Sequence, residues 1–149
     1  MNVVLFEPEI PGNTGNIGRS CVGTDSTLHL VGRLGFSLSD KYLKRSGLDY
    51  WKHVTLKTHE SWNTFLQTIP NRNLLYFLEK DGPRSFWETQ FEPNCYLIFG
   101  SESKGFSTEI IENYSDRFIR IPMTGPIRSL NLSSSVAVAM YEVLRQNKR

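Results

Sequence analysis

Short apolar runs alternate with amphipathic and polar stretches along this chain. Residues 3–7 open with Val3, Val4, Leu5 and Phe6, a continuous apolar run with β-branched members, and predict a first buried strand. Similar runs predict strands at 28–31, 74–78, 96–99 and 118–121, and a weaker alternation predicts one at 53–57. Helical signals lie between them. Trp62, Phe65, Leu66 and Ile69 recur at helical spacing ahead of Pro70, predicting a helix over 60–69. Ser39 or Asp40 suits the cap of a short basic helix through Arg45, and Ser107 or Thr108 the start of another ending near Tyr114. Pro8 and Pro11 each fix φ and make 8–12 a stiff loop, after which a short helix runs to about Gly23. Asp81, Gly82 and Pro83 read as a turn, and 85–89 as a helical turn. This alternation predicts an α/β fold, a mostly parallel sheet flanked by helices. No repeat, low-complexity tract or linker-like stretch interrupts it, so 1–149 reads as a single domain.

The last helix is expected over 132–146. Val136, Met140, Val143 and Leu144 form one apolar stripe, and Ala137, Val138 and Tyr141 widen it. Packing on one core needs one stripe. The extra apolar surface points either to a second subunit in a two-fold dimer or to deep burial within one subunit.

Ahead of that helix, the strand ending at Ile121 meets Pro122, which cannot donate to a sheet ladder. The loop that follows gathers Arg128, Ser129 and Asn131 between two buried elements. A helix cap accounts for Asn131 or Ser133. It leaves the rest of the polar run from Thr124 unexplained, and that run reads as a ligand-facing loop.

Composition adds limits. A chain of 149 residues with 39% hydrophobic content fits a soluble domain with a sizeable core. No apolar run reaches the ~18 residues of a membrane helix. The first residues lack a basic stretch and carry Glu7 early, so no export signal is read and a cytoplasmic location is expected. Lys and Arg number 17 against 15 acids, a net charge of +2, which alone says little about nucleic acid. Their placement says more. Lys41, Lys44, Arg45 and Lys52 surround Tyr42, Tyr50 and Trp51, a grouping that suits phosphate contact with base stacking or, equally, a solvated helix face over buried rings. Cys21 and Cys95 read as buried thiols. His29, His53 and His59 have no partner at zinc spacing, so no metal is expected.

Two glycine-rich loops invite a nucleotide reading and fail it. Gly12, Gly15 and Gly18 follow a strand and open a helix, but the spacing is not that of a dinucleotide loop and no acidic strand end follows. What remains is a helix N-terminus with free N–H groups beside Asn13, Asn16 and Arg19. Arg19 either reaches a phosphate or ribose or pairs with Glu7 or Glu9. Gly100 and Gly105 bracket a loop at a strand's carboxyl end, but Phe106-Ser107 stands where a P-loop needs Lys-Ser/Thr. Glu102 in that loop is either a site carboxylate or a salt-bridge partner of Arg19 or Lys104. No Ser-His-Asp set, Cys-His pair or carboxylate pair occurs within one motif, which disfavours covalent hydrolysis.

Three segments together resemble the SPOUT superfamily of RNA 2′-O-methyltransferases. They are Asn13-Thr14-Gly15-Asn16-Ile17-Gly18-Arg19, the run from Leu97 through Gly100, Glu102 and Gly105, and the run from Ile121 through Arg128, Ser129, Leu130 and Asn131 to Ser133. The opening from Leu5 to Pro11 and the segment from Lys44 to Tyr50 narrow the resemblance. They look like the minimal single-domain members that methylate the wobble nucleotide of tRNA, cytidine or modified uridine at position 34. The resemblance spans nearly the whole chain. It departs at Gly18 and Ser20, where bulkier apolar residues are common, at 23–27, and at 78–82.

The resemblance implies a C-terminal deep trefoil knot, a rarity among folds, and a homodimer acting on the tRNA anticodon stem-loop. It implies S-adenosylmethionine as methyl donor, contacted by Leu78, Gly100, Ile121, Ser129 and Leu130. Arg19 matches an arginine acting near the target ribose, and Asn13, Glu102, Ser129 and Asn131 match polar residues shaping that site. Tyr141 matches a tyrosine implicated in the wobble enzymes. Arg19 suits a clamp rather than a base, because a guanidinium keeps its proton up to a pKa above ~12. Methylation of another RNA such as rRNA, and a non-catalytic RNA-binding role, are the alternatives.

Overall fold

The computed structural model describes residues 1–39, Leu43 and residues 49–147. Seven strands form one sheet: β1 (Asn2–Phe6), β2 (Thr27–Val31), β3 (Thr55–His59), β4 (Leu75–Leu78), β5 (Arg84–Ser85), β6 (Tyr96–Phe99) and β7 (Phe118–Arg120). Their order is β3-β2-β1-β6-β4-β7-β5, and every pairing is parallel. Among the described residues, four helices with defined bounds flank it: α1 (Pro11–Gly23), α2 (Trp62–Gln67), α3 (Thr108–Tyr114) and α4 (Leu132–Gln146).

Successive residues of a strand face opposite sides, so the apolar runs supply two cores. Val3, Leu5, Leu28, Leu30, Leu97 and Phe99 pack with Ile17 and Cys21 of α1 and with Val136, Met140 and Val143 of α4. Val4, Phe6, Phe77, Ile98 and Phe118 face the other way, toward Trp62 and Phe65 of α2 and Ile110 of α3. The α/β expectation holds.

Several boundaries shift. The expected loop at 8–12 ends sooner, because α1 starts at Pro11. Proline at a helix's first turn loses no hydrogen bond and has its φ preset. β3 begins two residues late, since Trp51–His53 forms a 3-10 turn and Thr55 pairs with Thr27. α2 stops at Gln67, before Ile69, and is held at its start by a Ser61/Thr64 capping box. β5 carried no signal. It is two residues long and stands at the sheet edge beside β7. The expected helix at 85–89 is a 3-10 turn, Phe86–Glu88. Ser107 caps α3, and α4 matches its expected bounds. The expected basic helix ending at Arg45 lies outside the described residues, except for buried Leu43.

Val136, Met140 and Val143 of α4 are buried, whereas Val138 is 41% and Tyr141 61% exposed. Within this chain the wider apolar face is therefore open. Cys21 and Cys95 are free, buried thiols, and burial pushes both up to about 12. Among the described residues no helix is long and apolar enough to cross a membrane, and no group of three or more His, Cys, Asp or Glu is placed to hold a metal.

Candidate active site

The carboxyl ends of β1, β6, β4 and β7 lie side by side, and their following loops converge. Open α/β sheets bind ligands at such an edge. The cleft there has a volume of about 490 Å³. Its walls include Leu78 after β4, Gly100 after β6, and Ile121, Ser129 and Leu130 after β7. These are the five positions expected to contact a methyl donor. Asn13, Glu102 and Asn131 also line it.

The loop after β6 is folded on itself. Ser101 and Gly105 exchange backbone hydrogen bonds at 3.0 and 2.9 Å. Gly100 lies so close beneath Gly105 that a β-carbon would sit 2.5 Å from its carbonyl carbon, so position 100 accepts glycine alone. The loop after β7 is the opposite case. Among the described residues, no backbone–backbone hydrogen bond outside regular elements involves 123–130. Its polar groups are open to a ligand.

Glu102 settles two open questions. Its carboxylate pairs with neither Arg19 nor Lys104 within salt-bridge distance. It accepts instead from the backbone N–H of Glu9 at 2.8 Å and of Ile10 at 3.2 Å, and from Asn13 Nδ2 at 3.1 Å. Glu102 thus fixes the two residues that lead into α1 and the Asn13 side chain, and it takes none of the N–H groups of Gly12 and Asn13 in the helix's first turn. An anion at a helix start is favoured by the helix dipole. Asn13 Oδ1 in turn accepts from Asn131 Nδ2 at 3.0 Å, and Asn131 Oδ1 accepts from Ser133 N–H at 2.9 Å as the cap of α4. One polar chain therefore joins the three sequence segments.

Arg19 and Tyr141 do not line the cleft. Arg19 is exposed and forms no ion pair with Glu7 or Glu9; its guanidinium lies 5.5 Å from the centre of the Tyr50 ring. Tyr50 donates its hydroxyl to Gly15 O at 2.8 Å, and burial raises that hydroxyl's pKa while Arg19 draws it down. Tyr141 stands on the open face of α4.

The sequence reading gave Glu9 no part in the site and passed over Ser103. Ser103 donates to Glu9 from its N–H at 2.8 Å and from Oγ at 2.7 Å, which holds the Glu9 carboxyl below its usual range. Partners 94 positions apart leave no local signal.

The sequence profile of the SpoU rRNA methylase family matches residues 1–141. This chain belongs to that family. SpoU family membership makes it a methyltransferase. A Saccharophagus degradans relative, tRNA (cytidine(34)-2′-O)-methyltransferase, is 46% identical over 147 residues, covering 97% of this chain and 94% of the relative. A solved structure described as giving insight into 2-OH methylation of C/U34 on tRNA is 43% identical, with a TM-score of 0.90 over 97% of this chain and 94% of its own. The SpoU methyltransferase AviRb from Streptomyces viridochromogenes, solved with AdoMet, is 24% identical and shares the fold, with a TM-score of 0.85 over 98% of this chain and 57% of its own.

Proposed function

We propose that this protein transfers a methyl group from S-adenosylmethionine to the ribose 2′-hydroxyl of the wobble nucleotide of tRNA, cytidine or modified uridine at position 34. The observation that carries the reading is the convergence of all three family segments on one cleft, joined by the chain from Glu102 through Asn13 to Asn131. The tRNA substrate is supported by the named relative that this chain matches over 97% of its length.

The residues present fit the donor. Leu78, Ile121 and Leu130 offer apolar wall, and the unpaired backbone of 123–130 offers donors and acceptors for a polar, adenosine-sized ligand. When bound, the sulfonium supplies an electrophilic methyl and departs as a neutral thioether. The ribose oxygen forms the new bond to carbon as the carbon–sulfur bond breaks, and the hydroxyl proton leaves to a water or an RNA group. Leu78, Ile121 and Leu130 exclude water from the donor. Glu102, Asn13 and Asn131 hold the loops in register, so the chain contributes chiefly alignment. Arg19, exposed outside the cleft and without an ion-pair partner among the described residues, is available to grip a phosphate or a ribose of bound RNA.

The same reading includes a knotted backbone, a homodimer, one functional domain and a cytoplasmic location suited to tRNA. Supporting the knot, β7 lies between β4 and β5 although residues 79–83 join those two. That connection crosses β7 closely: a β-carbon at Gly82 would stand 2.7 Å from the Ile119 backbone, and Arg120 Nη1 donates to Gly82 O at 2.9 Å. Supporting the dimer, Val138 and Tyr141 leave an apolar face open.

The test is transfer of labelled methyl from S-adenosylmethionine into total tRNA and rRNA in parallel, followed by nucleoside identification. The expected product is a 2′-O-methylated nucleoside at tRNA position 34. Label confined to rRNA supports the alternative that the family description raises, and no incorporation overturns the enzymatic reading.

A further inference from the structure

Two glutamate carboxylates bridge the same pair of segments across the rim of the cleft. The backbone N–H of Glu9 donates to Glu102 Oε2 at 2.8 Å, and the backbone N–H of Ser103 donates to Glu9 Oε2 at 2.8 Å. Ser103 Oγ adds a third bond, to Glu9 Oε1 at 2.7 Å. Each carboxylate is thus met by the segment that carries the other. Glu102 alone would pin the loop after β6 at one residue and leave it free to swing about that point. Glu9 pins the adjacent residue and removes the swing.

We propose that Glu9 is a positioning residue of the methyl-donor site, fixing the donor-binding loop 100–105 against the start of α1 through Ser103. The inference rests on the methyltransferase reading, since the loop matters to catalysis only if the donor sits against it. The loop's other internal bonds, between Ser101 and Gly105, shape it without tying it to α1. Bonds to a charged acceptor are stronger than neutral ones, and here two of them converge on one carboxylate at the mouth of the cleft.

Glu9 suits this role because its side chain is not part of either core. The path of its backbone is held separately. Gly35 N–H donates to Pro8 O at 2.9 Å, and the Glu9 backbone packs against Gly35 so closely that a β-carbon there would meet Glu9 Cα at 2.7 Å. Replacing the Glu9 side chain therefore leaves the chain trace in place and releases Ser103.

The test compares wild type, Glu9→Ala and Glu9→Gln in the full chain. Three readouts are taken: hydrogen exchange of the 100–105 amides, calorimetric binding of S-adenosylhomocysteine, and kcat and KM for S-adenosylmethionine with tRNA. In Glu9→Ala the loop amides exchange about tenfold faster, and both the dissociation constant and KM rise about tenfold, the equivalent of one charged hydrogen bond. kcat stays within about twofold because the chemistry is untouched. Glu9→Gln recovers most of the loss, since its carbonyl oxygen accepts from Ser103 N–H and its amide donates to Ser103 Oγ. Unchanged loop exchange or unchanged donor affinity in Glu9→Ala overturns the inference, as does a fall in kcat at constant KM. Wild-type protein that binds no S-adenosylhomocysteine overturns the methyl-donor reading itself, a result distinct from any variant that matches wild type.

Discussion

Asn131 Nδ2 donates to Asn13 Oδ1 at 3.0 Å across 118 positions of sequence. Asn13 uses both ends of its amide, because Nδ2 donates to Glu102 Oε1 at 3.1 Å. A side chain that only accepts, or only donates, cannot replace it.

Asn13→Asp is the sharpest test of that chain. Position 13 is 7% exposed, so the new carboxylate would face Glu102 with its donor lost and its charge repelled. The expected result is a loss of about 2 kcal/mol of stability in denaturant unfolding together with loss of donor binding. Asn131→Ala removes the α4 cap as well as the link, and about 1 kcal/mol of stability goes with it. Methyl transfer in Asn131→Ala falls more than stability does, whereas Ser133→Ala, which keeps the link to Asn13, retains activity. Equal activity in both variants would remove Asn131 from the site.

Gly18, where the resemblance leads to the expectation of a bulkier apolar residue, lies against Trp51. A β-carbon at position 18 would stand 2.7 Å from Cζ3 of the Trp51 ring, so the indole occupies room that a larger residue at 18 would fill. Gly18→Val is expected to cost about 1–3 kcal/mol by overpacking. It also displaces Tyr50, the neighbour of Trp51 on which Arg19 rests. The double variant Gly18→Val/Trp51→Ala restores stability above that of Gly18→Val alone. A simple sum of the two single costs would show that the positions are not coupled.

A stacked histidine pair makes stability fall in mild acid. His29 is 2% exposed; its Nε2 lies 3.2 Å from Asn2 Oδ1 and its Nδ1 3.0 Å from His59 Nε2, with ring centres 5.3 Å apart. The Asn2 oxygen only accepts, so Nε2 of His29 carries the proton and Nδ1 accepts from His59. Burial, then His59 and Lys57, lowers the His29 pKa from 6.5 to about 4. Burial lowers His59 as well. Between 6.5 and about 4 the unfolded chain binds a proton that the folded chain refuses. Stability is therefore complete above that window and declines as pH falls through it, by up to about 3 kcal/mol. Denaturant midpoints across that pH range should show the decline, and His29→Asn should flatten it. A slope that survives the substitution would place its origin elsewhere.

The open face of α4 tests the dimer. Val138→Arg adds a charge to the apolar patch formed with Tyr141. Sedimentation is expected to show wild-type dimers and variant monomers, with little change in the thermal midpoint at equal chain concentration if the monomer folds independently. A wild-type monomer would end the dimer reading.

Pattern alone determined the layered α/β plan, because a strand buried on both faces must be apolar at every position and a flanking helix must carry a stripe. It determined the stripe of α4 for the same reason, and it narrowed two helix starts to Ser107 or Thr108 and to Asn131 or Ser133, since caps are local; the structure chose Ser107 and Asn131. The family resemblance, not the pattern, pointed to Leu78, Gly100, Ile121, Ser129 and Leu130, which the fold gathers on the cleft wall. The tertiary structure decided the rest. β5 exists only because β7 offers it an edge, and the order that sets β7 between β4 and β5 follows from pairings no local run encodes. Glu102 on the start of α1, Glu9 on Ser103, His29 on His59 and Trp51 against Gly18 join residues 30 or more positions apart. Such contacts depend on how backbones pack after the chain has folded, and hydrophobic periodicity carries no record of which polar side chains will then face each other.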